Sequence, residues 1–195
     1  MPITERLTLS VKLGVDEWKE QVKFLLQTLK KQEGNIRTRW GPHAEDESKL
    51  EFLIGWESAD AQAKFQASPD FEAVMAQLKT VMTGPPTVYF VEFKPYAPPA
   101  IIDAAYVQVI TLDSLSGSAN EDALKGSMDV FTGQEGCTGV TSGLSTGTDK
   151  RFVGVVGWTS LEASDAATSK FAVTDGQMST CRVNFRFPVK GFRGL

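Results

Sequence analysis

The chain begins with strict alternation. In "RLTLSVKLG", Leu7, Leu9, Val11 and Leu13 share one face, while Arg6, Thr8, Ser10 and Lys12 share the other. That is the pattern of a strand with one buried face. In "VDEWKEQVKFLLQTLKKQEG", Trp18, Val22, Leu25, Leu26 and Leu29 fall at helical spacing. Asp16 is placed to cap this helix, and Lys30, Lys31 and Gly34 close it. "NIRTRWG" predicts a short strand and "PHAEDES" a polar turn. "KLEFLIGW" predicts another strand, with Leu50, Phe52, Ile54 and Trp56 on one face. Ser58 caps a helix from about Ala59. Ser68 caps the next, whose first turn holds Pro69, where a missing N–H costs nothing. Phe71, Val74, Met75, Leu78 and Met82 stripe that helix and "TGPP" ends it. "TVYFVEFKP" is rich in β-branched and aromatic residues on both faces, as in a central strand. The order is βαββαβ, the ferredoxin-like unit.

A proline-rich stretch, "YAPPAIIDA", then predicts a stiff, extended linker, and the order starts again. "AYVQVITLD" reads as a strand. "NEDALKGSMDVFTGQEG" reads as a helix with the stripe Leu124, Met128 and Phe131. "CTGVTSGLSTGTDKRFVGVVGW" reads as a glycine-rich hairpin, and Ser160 caps a helix. In "TCRVNFRFPV", the final strand, Val183, Phe185, Phe187 and Val189 share a face. The tetrad GW-x-S occurs in both halves, Trp56 matching Trp158, and marks the exit of the third strand into the second helix. The predicted fold is α+β: two tandem ferredoxin-like repeats forming an intrachain dimeric α/β barrel. The first half spans 1–96, the linker 97–104, and a second, shortened half 105–195. Helices cover one face of each sheet, and the halves are expected to hide the other faces against each other. Fusion raises the effective concentration of that pairing.

The 195 residues are 42% hydrophobic and 23% charged, enough for a globular core. A net charge of −4 argues against nucleic acid and anionic membrane as partners. Arg182, Arg186, Lys190 and Arg193 alternate with apolar residues and read as the solvated face of an edge strand. The start does not read as a signal peptide, and no apolar run approaches the ~20 residues of a membrane helix; cytoplasmic is the expected location. Two cysteines, Cys137 and Cys181, and one histidine, His43, are too few for the usual structural zinc site, so no metal is expected.

The run "LIGWESADAQAKFQASPDFEAVM" resembles the dimeric α/β-barrel superfamily, of the antibiotic-biosynthesis-monooxygenase and stress-responsive A/B-barrel type. The second half shares the resemblance through its strand order and "GWTSLEA", as in tandem fused, fungal-like members. Such a resemblance specifies fold better than activity. Members include cofactor-independent oxygenases of aromatic polyketides, polyketide cyclases, haem-degrading enzymes and proteins without known chemistry. Their ligands sit between sheet and helices within a half. The haem-degrading branch needs a histidine on the second helical segment. Residues 59–82 contain none, and Gln62 and Lys64 stand in the stretch where one is common. The resemblance implies an oxygenase or cyclase acting on an aromatic or polyketide-like small molecule without a cofactor. The alternatives are a non-catalytic binding or stress-response protein of the same fold, and a structural assembly module.

His43 is the catalytic candidate, a general base for a phenol or activated carbon; its bland alternative is a solvated turn histidine beside Glu45, Asp46 and Glu47. Trp40, Trp56 and Phe52 are candidates to line a pocket and stack on an aromatic ligand, against plain core packing. Arg39, with Arg37 nearby, is placed to pair with a ligand carboxylate or phenolate, and Tyr89 to donate to a ligand oxygen. The glycine-rich stretch 132–150 lacks both GxGxxG and the GK[ST] ending of a phosphate loop. No serine lies in a nucleophile elbow with a histidine partner. The first half is expected to keep the ligand site, the second to act as its structural partner. Exposed strand edges point to a further homodimer of the fused barrel.

Overall fold

A computed structural model describes residues 1–116, 120–148, 150–171 and 176–194. Asp149, inside the glycine-rich stretch, lies outside the described residues, as does Leu195. The elements run β1 (Ile3–Ser10), α1 (Val15–Leu29), β2 (Asn35–Pro42), β3 (Lys49–Trp56), α2 (Ala59–Gln66), α3 (Pro69–Leu78) and β4 (Thr87–Lys94). They continue with α4 (Pro99–Ile102), β5 (Tyr106–Asp113), α5 (Glu121–Ser127), β6 (Cys137–Ser145), β7 (Phe152–Trp158), α6 (Leu161–Thr168) and β8 (Gln177–Val183). The fold is α+β, with the βαββαβ order written twice. Two compact units result: Met1–Val88 together with the segment from Phe187 onward, and Tyr89–Arg186.

In the first unit β3 lies between β1 and β2, antiparallel to both. Register sets Leu7 and Trp40 against Phe52, Leu9 against Leu50, and Ile3 against Trp56. These side chains form one face, and the helices cover it. Trp18 of α1 meets Trp40 edge-on, Phe65 of α2 stacks on Trp56, and Phe71 of α3 meets Phe65 edge-on. Ser58 Oγ accepts from the Ala61 N–H (3.2 Å) and Ser68 Oγ from the Phe71 N–H (3.3 Å), so both predicted caps form. Asp16 is not the cap of α1; Gly14 holds that position at φ 102°, and Asp16 and Glu17 lie in the first turn, where the helix dipole favours them.

The second unit orders its strands β4-β6-β7-β5-β8, each pair antiparallel. Its sheet is apolar on both faces. Ile110, Leu112, Phe152, Val156 and Trp158 pack under α5 and α6 with Phe131. Val107, Val109, Val153, Val155 and Val183 form the opposite layer with Tyr89, Val91 and Phe93.

Three sequence expectations need correction. The proline-rich stretch is not wholly extended: Pro99–Ile102 turn into a short helix that buries Ile101. The helix after Asn120 stops at Ser127 and tightens into a 3₁₀ turn, Met128–Phe131, which sets Met128 and Phe131 into the core. The last strand starts earlier and ends at Val183, so Phe185, Phe187 and Val189 do not form a strand face.

The repeated GW-x-S has a physical basis. Gly34 and Gly136 both adopt positive φ, 79° and 80°. A Cβ on either would lie 2.5 Å from Ala61 Cβ or 2.6 Å from Ala163 Cβ. Their carbonyls accept from the Glu57 and Thr159 N–H groups, both at 2.9 Å. Each copy thus joins the start of its second strand to the end of its third and to the helix that follows. Glycine is required there for both conformation and closeness.

Candidate functional site

Alternation along β1, β2 and β3 sends a second set of side chains to the face away from the helices: Thr4, Arg6 and Thr8, then Arg37 and Arg39, then Glu51. The alternation of β1 predicted a solvated Arg6, yet Arg6 is only 8% exposed and Glu51 is fully buried. Arg6 Nε donates to Glu51 Oε1, and Arg6 Nη2 lies 3.4 Å from Oε2. Thr8 Oγ1, directly across the ladder, donates to Oε2 at 2.9 Å. His43 follows β2 immediately, its backbone N–H held by the Lys49 carbonyl at 2.9 Å. The imidazole points inward from there. Nε2 lies 3.1 Å from Glu51 Oε2, and the residue is 8% exposed.

Burial pushes the Glu51 carboxyl up, but the Arg6 charge and the hydrogen bonds from His43 and Arg6 outweigh it and hold the group below the ordinary glutamate range. An ionised carboxylate only accepts hydrogen bonds, so Nε2 of a neutral His43 carries the proton and Nδ1 carries the lone pair. This is an oriented base: imidazole, carboxylate and guanidinium in series. Both Glu51 oxygens are engaged by protein donors, Oε1 by Arg6 and Oε2 by Thr8 and His43.

A second buried carboxyl lies on the helix-covered face. Glu5 Oε2 accepts from Trp56 Nε1 at 2.9 Å, and the Gln62 side chain of α2 also hydrogen-bonds it. Burial raises its pKa above the ordinary range, and the two hydrogen bonds only partly offset this. The second unit repeats the arrangement with a neutral residue. Gln108 Oε1 accepts from Trp158 Nε1 (3.0 Å) and Ser164 Oγ (3.1 Å).

The sequence candidates therefore divide between faces. Trp40 and Phe52 stack at 5.9 Å, and Phe192 tilts against Trp40 at 5.3 Å. They share the helix-covered face with Trp56, which is wholly buried. His43 and Arg39 belong to the opposite face. Tyr89 lies in the second unit, where its hydroxyl meets Thr111 Oγ1 at 3.3 Å and the Arg151 guanidinium sits 5.1 Å from its ring centre. Sequence reasoning missed Arg6, Thr8, Glu51 and Glu5. A charged residue facing another across a β-ladder was the available signal, but it needs the register.

Residues 8–77 match the family described as antibiotic biosynthesis monooxygenase. No curated protein matches the chain. Among solved structures, an anthrone oxidase-like protein superposes with TM-score 0.67 at 11% identity, over 93% of this chain and 90% of that one. A candidate monooxygenase from Lactobacillus acidophilus NCFM gives 0.63 at 11%, over 93% and 92%. A candidate chlorite dismutase also gives 0.63, at 13% identity, over 93% and 94%. At such identities the likeness is one of fold, and the names differ in chemistry. The family match thus spans residues 8–77, and the βαββαβ order is completed and written again after it.

Proposed function

We propose that the protein is a small-molecule enzyme of the antibiotic-biosynthesis-monooxygenase type. It acts on an aromatic or polyketide-like substrate without metal or organic cofactor, as an oxygenase or cyclase. The observation that carries this reading is the buried series Arg6–Glu51–His43, whose Glu51 and His43 lie within the matched residues 8–77. Nδ1 of His43 takes a proton from a phenol or an activated C–H, and Glu51 stabilises the imidazolium that forms. The electron pair left on the substrate is the nucleophile. With dioxygen as co-substrate the carbanion forms a C–O bond to it, His43 returns the proton to the resulting peroxide, and loss of water leaves a carbonyl; with a carbonyl carbon of the same substrate it closes a ring, and His43 protonates the alkoxide. Arg39, on the same face, is assigned to an anionic substrate oxygen, and Trp40, Phe52 and Trp56 shape the domain from the helix side.

His43→Gln keeps an N–H donor for Glu51 and removes the basic nitrogen. The assay follows dioxygen uptake and absorbance with an anthrone-type substrate, a choice prompted by the fold neighbour, alongside native mass spectrometry of the purified protein for a retained ligand. The reading expects turnover by the wild type and at least ~10²-fold loss in His43→Gln with an unchanged unfolding midpoint. Ligand retention without turnover, equal in both proteins, would instead identify a binding protein.

A further inference from the structure

The two copies of the GW-x-S joint differ by one charge. Two residues beyond the strand partner of each tryptophan stands an inward-facing side chain, Glu5 in the first unit and Gln108 in the second. Gln108 satisfies this position with a neutral amide. It accepts from Trp158 and Ser164, and its Nε2 donates to Thr168 Oγ1 (2.7 Å) and Thr180 Oγ1 (3.1 Å). The fold therefore requires an acceptor for the indole and a link to the following helix; it does not require a titratable group. Glu5 supplies one nonetheless, at 8% exposure.

The helix it holds is lightly anchored. α2 has two buried side chains: Phe65, stacked on Trp56, and Gln62, bonded to Glu5. We propose that Glu5 is a proton-operated latch on α2: its ionisation loosens that helix from the sheet, and the second unit, with Gln108, lacks this control. The Trp56 indole and the Gln62 amide both donate to the Glu5 carboxyl, and these bonds only partly offset the cost of burying its charge. Ionised Glu5 keeps those two donors but remains cut off from water, at 8% exposure, unless α2 moves. Among the described residues, no charged side chain pairs with it. Arg6 and Glu51 pair on the opposite face of β1 and β3, and Asp60 and Lys64 of α2 and Asp70 and Glu72 of α3 are exposed. The raised pKa of Glu5, caused first by burial, agrees with this geometry. Opening returns the carboxyl to water, where it titrates near 4.3. Between that value and the closed-state value, each pH unit favours the open form by up to about tenfold.

Amide hydrogen exchange of the whole protein tests this, with α6 as the internal reference. Corrected for intrinsic rates, the opening constant of α2 should climb with pH from about 5 upward while that of α6 stays flat. Glu5→Gln should flatten α2, and Gln108→Glu should transfer the pH dependence to α6. Parallel behaviour of α2 and α6 in the wild type overturns the proposal, as does a slope that survives in Glu5→Gln. The wild-type comparison and Gln108→Glu remain decisive if Glu5→Gln fails to fold.

Discussion

Arg6→Ala removes the guanidinium from a carboxylate with no exposed surface and leaves it with Thr8 and His43. Breaking a buried pair from one side costs about 3–5 kcal/mol, because the remaining charge stays desolvated. For a chain of this size each kcal/mol moves Tm by roughly 2–4 °C, so a fall of about 6–20 °C is expected. The pH dependence identifies the cause. Glu51 titrates lower folded than unfolded, so the native state sheds that proton more readily. Its contribution is complete above the unfolded value near 4.3 and disappears as pH falls through the folded value. The destabilisation by Arg6→Ala should therefore be full at neutral pH and shrink in acid, where a protonated Glu51 no longer needs the cation. Urea unfolding at both ends of that range, followed by tryptophan fluorescence, measures it. Adding Glu51→Gln should restore most of the loss at neutral pH. A cost below about 1 kcal/mol, as for an exposed pair, or one independent of pH, would refute a buried, charge-dependent network.

Three further outcomes are expected, two of them at the repeated joint. Gly34→Ala and Gly136→Ala should each cost at least about 2 kcal/mol, from left-handed backbone and overlap with Ala61 or Ala163. Gly133→Ala, at φ 82° with open space around it, should cost only the backbone part, and urea midpoints separate the two contributions. Trp56→Phe strips Glu5 of its indole donor and should destabilise more where Glu5 is ionised, at higher pH, than in acid, whereas Trp158→Phe, beside neutral Gln108, should show no such difference. Lys19→Ala, at an exposed pair with Asp16, should leave the thermal unfolding midpoint nearly unchanged.

Much of the fold was legible because periodicity and capping agree locally. Ser58, Ser68 and Ser160 cap the helices they precede, and the apolar face of β3 is the one its alternation predicted. The site was less legible, for a reason of register. "KLEFLIGW" shows Glu51 at a position that reads as solvent-facing, and "ERLTLS" shows Arg6 the same way. Only the pairing of Thr8 with Glu51 and Arg6 with Leu53 brings the two charges into contact. His43 stands out in the sequence as the one histidine, but its acidic neighbours there suggest a solvated turn. The carboxylate it meets is the distant, buried Glu51. Glu5 escaped notice because a glutamate near a chain start carries no signal until its strand is paired with Trp56.

The central claim is that Glu51 orients His43 as a base with its lone pair on Nδ1. Because the chain has a single histidine, ¹⁵N NMR of the imidazole gives one unambiguous pair of nitrogen signals. For the neutral ring, the account predicts a protonated Nε2 and an unprotonated Nδ1, with the Nε2 proton protected from exchange. A fast-exchanging mixture of tautomers, as for a solvated turn histidine, or a protonated Nδ1, would contradict it.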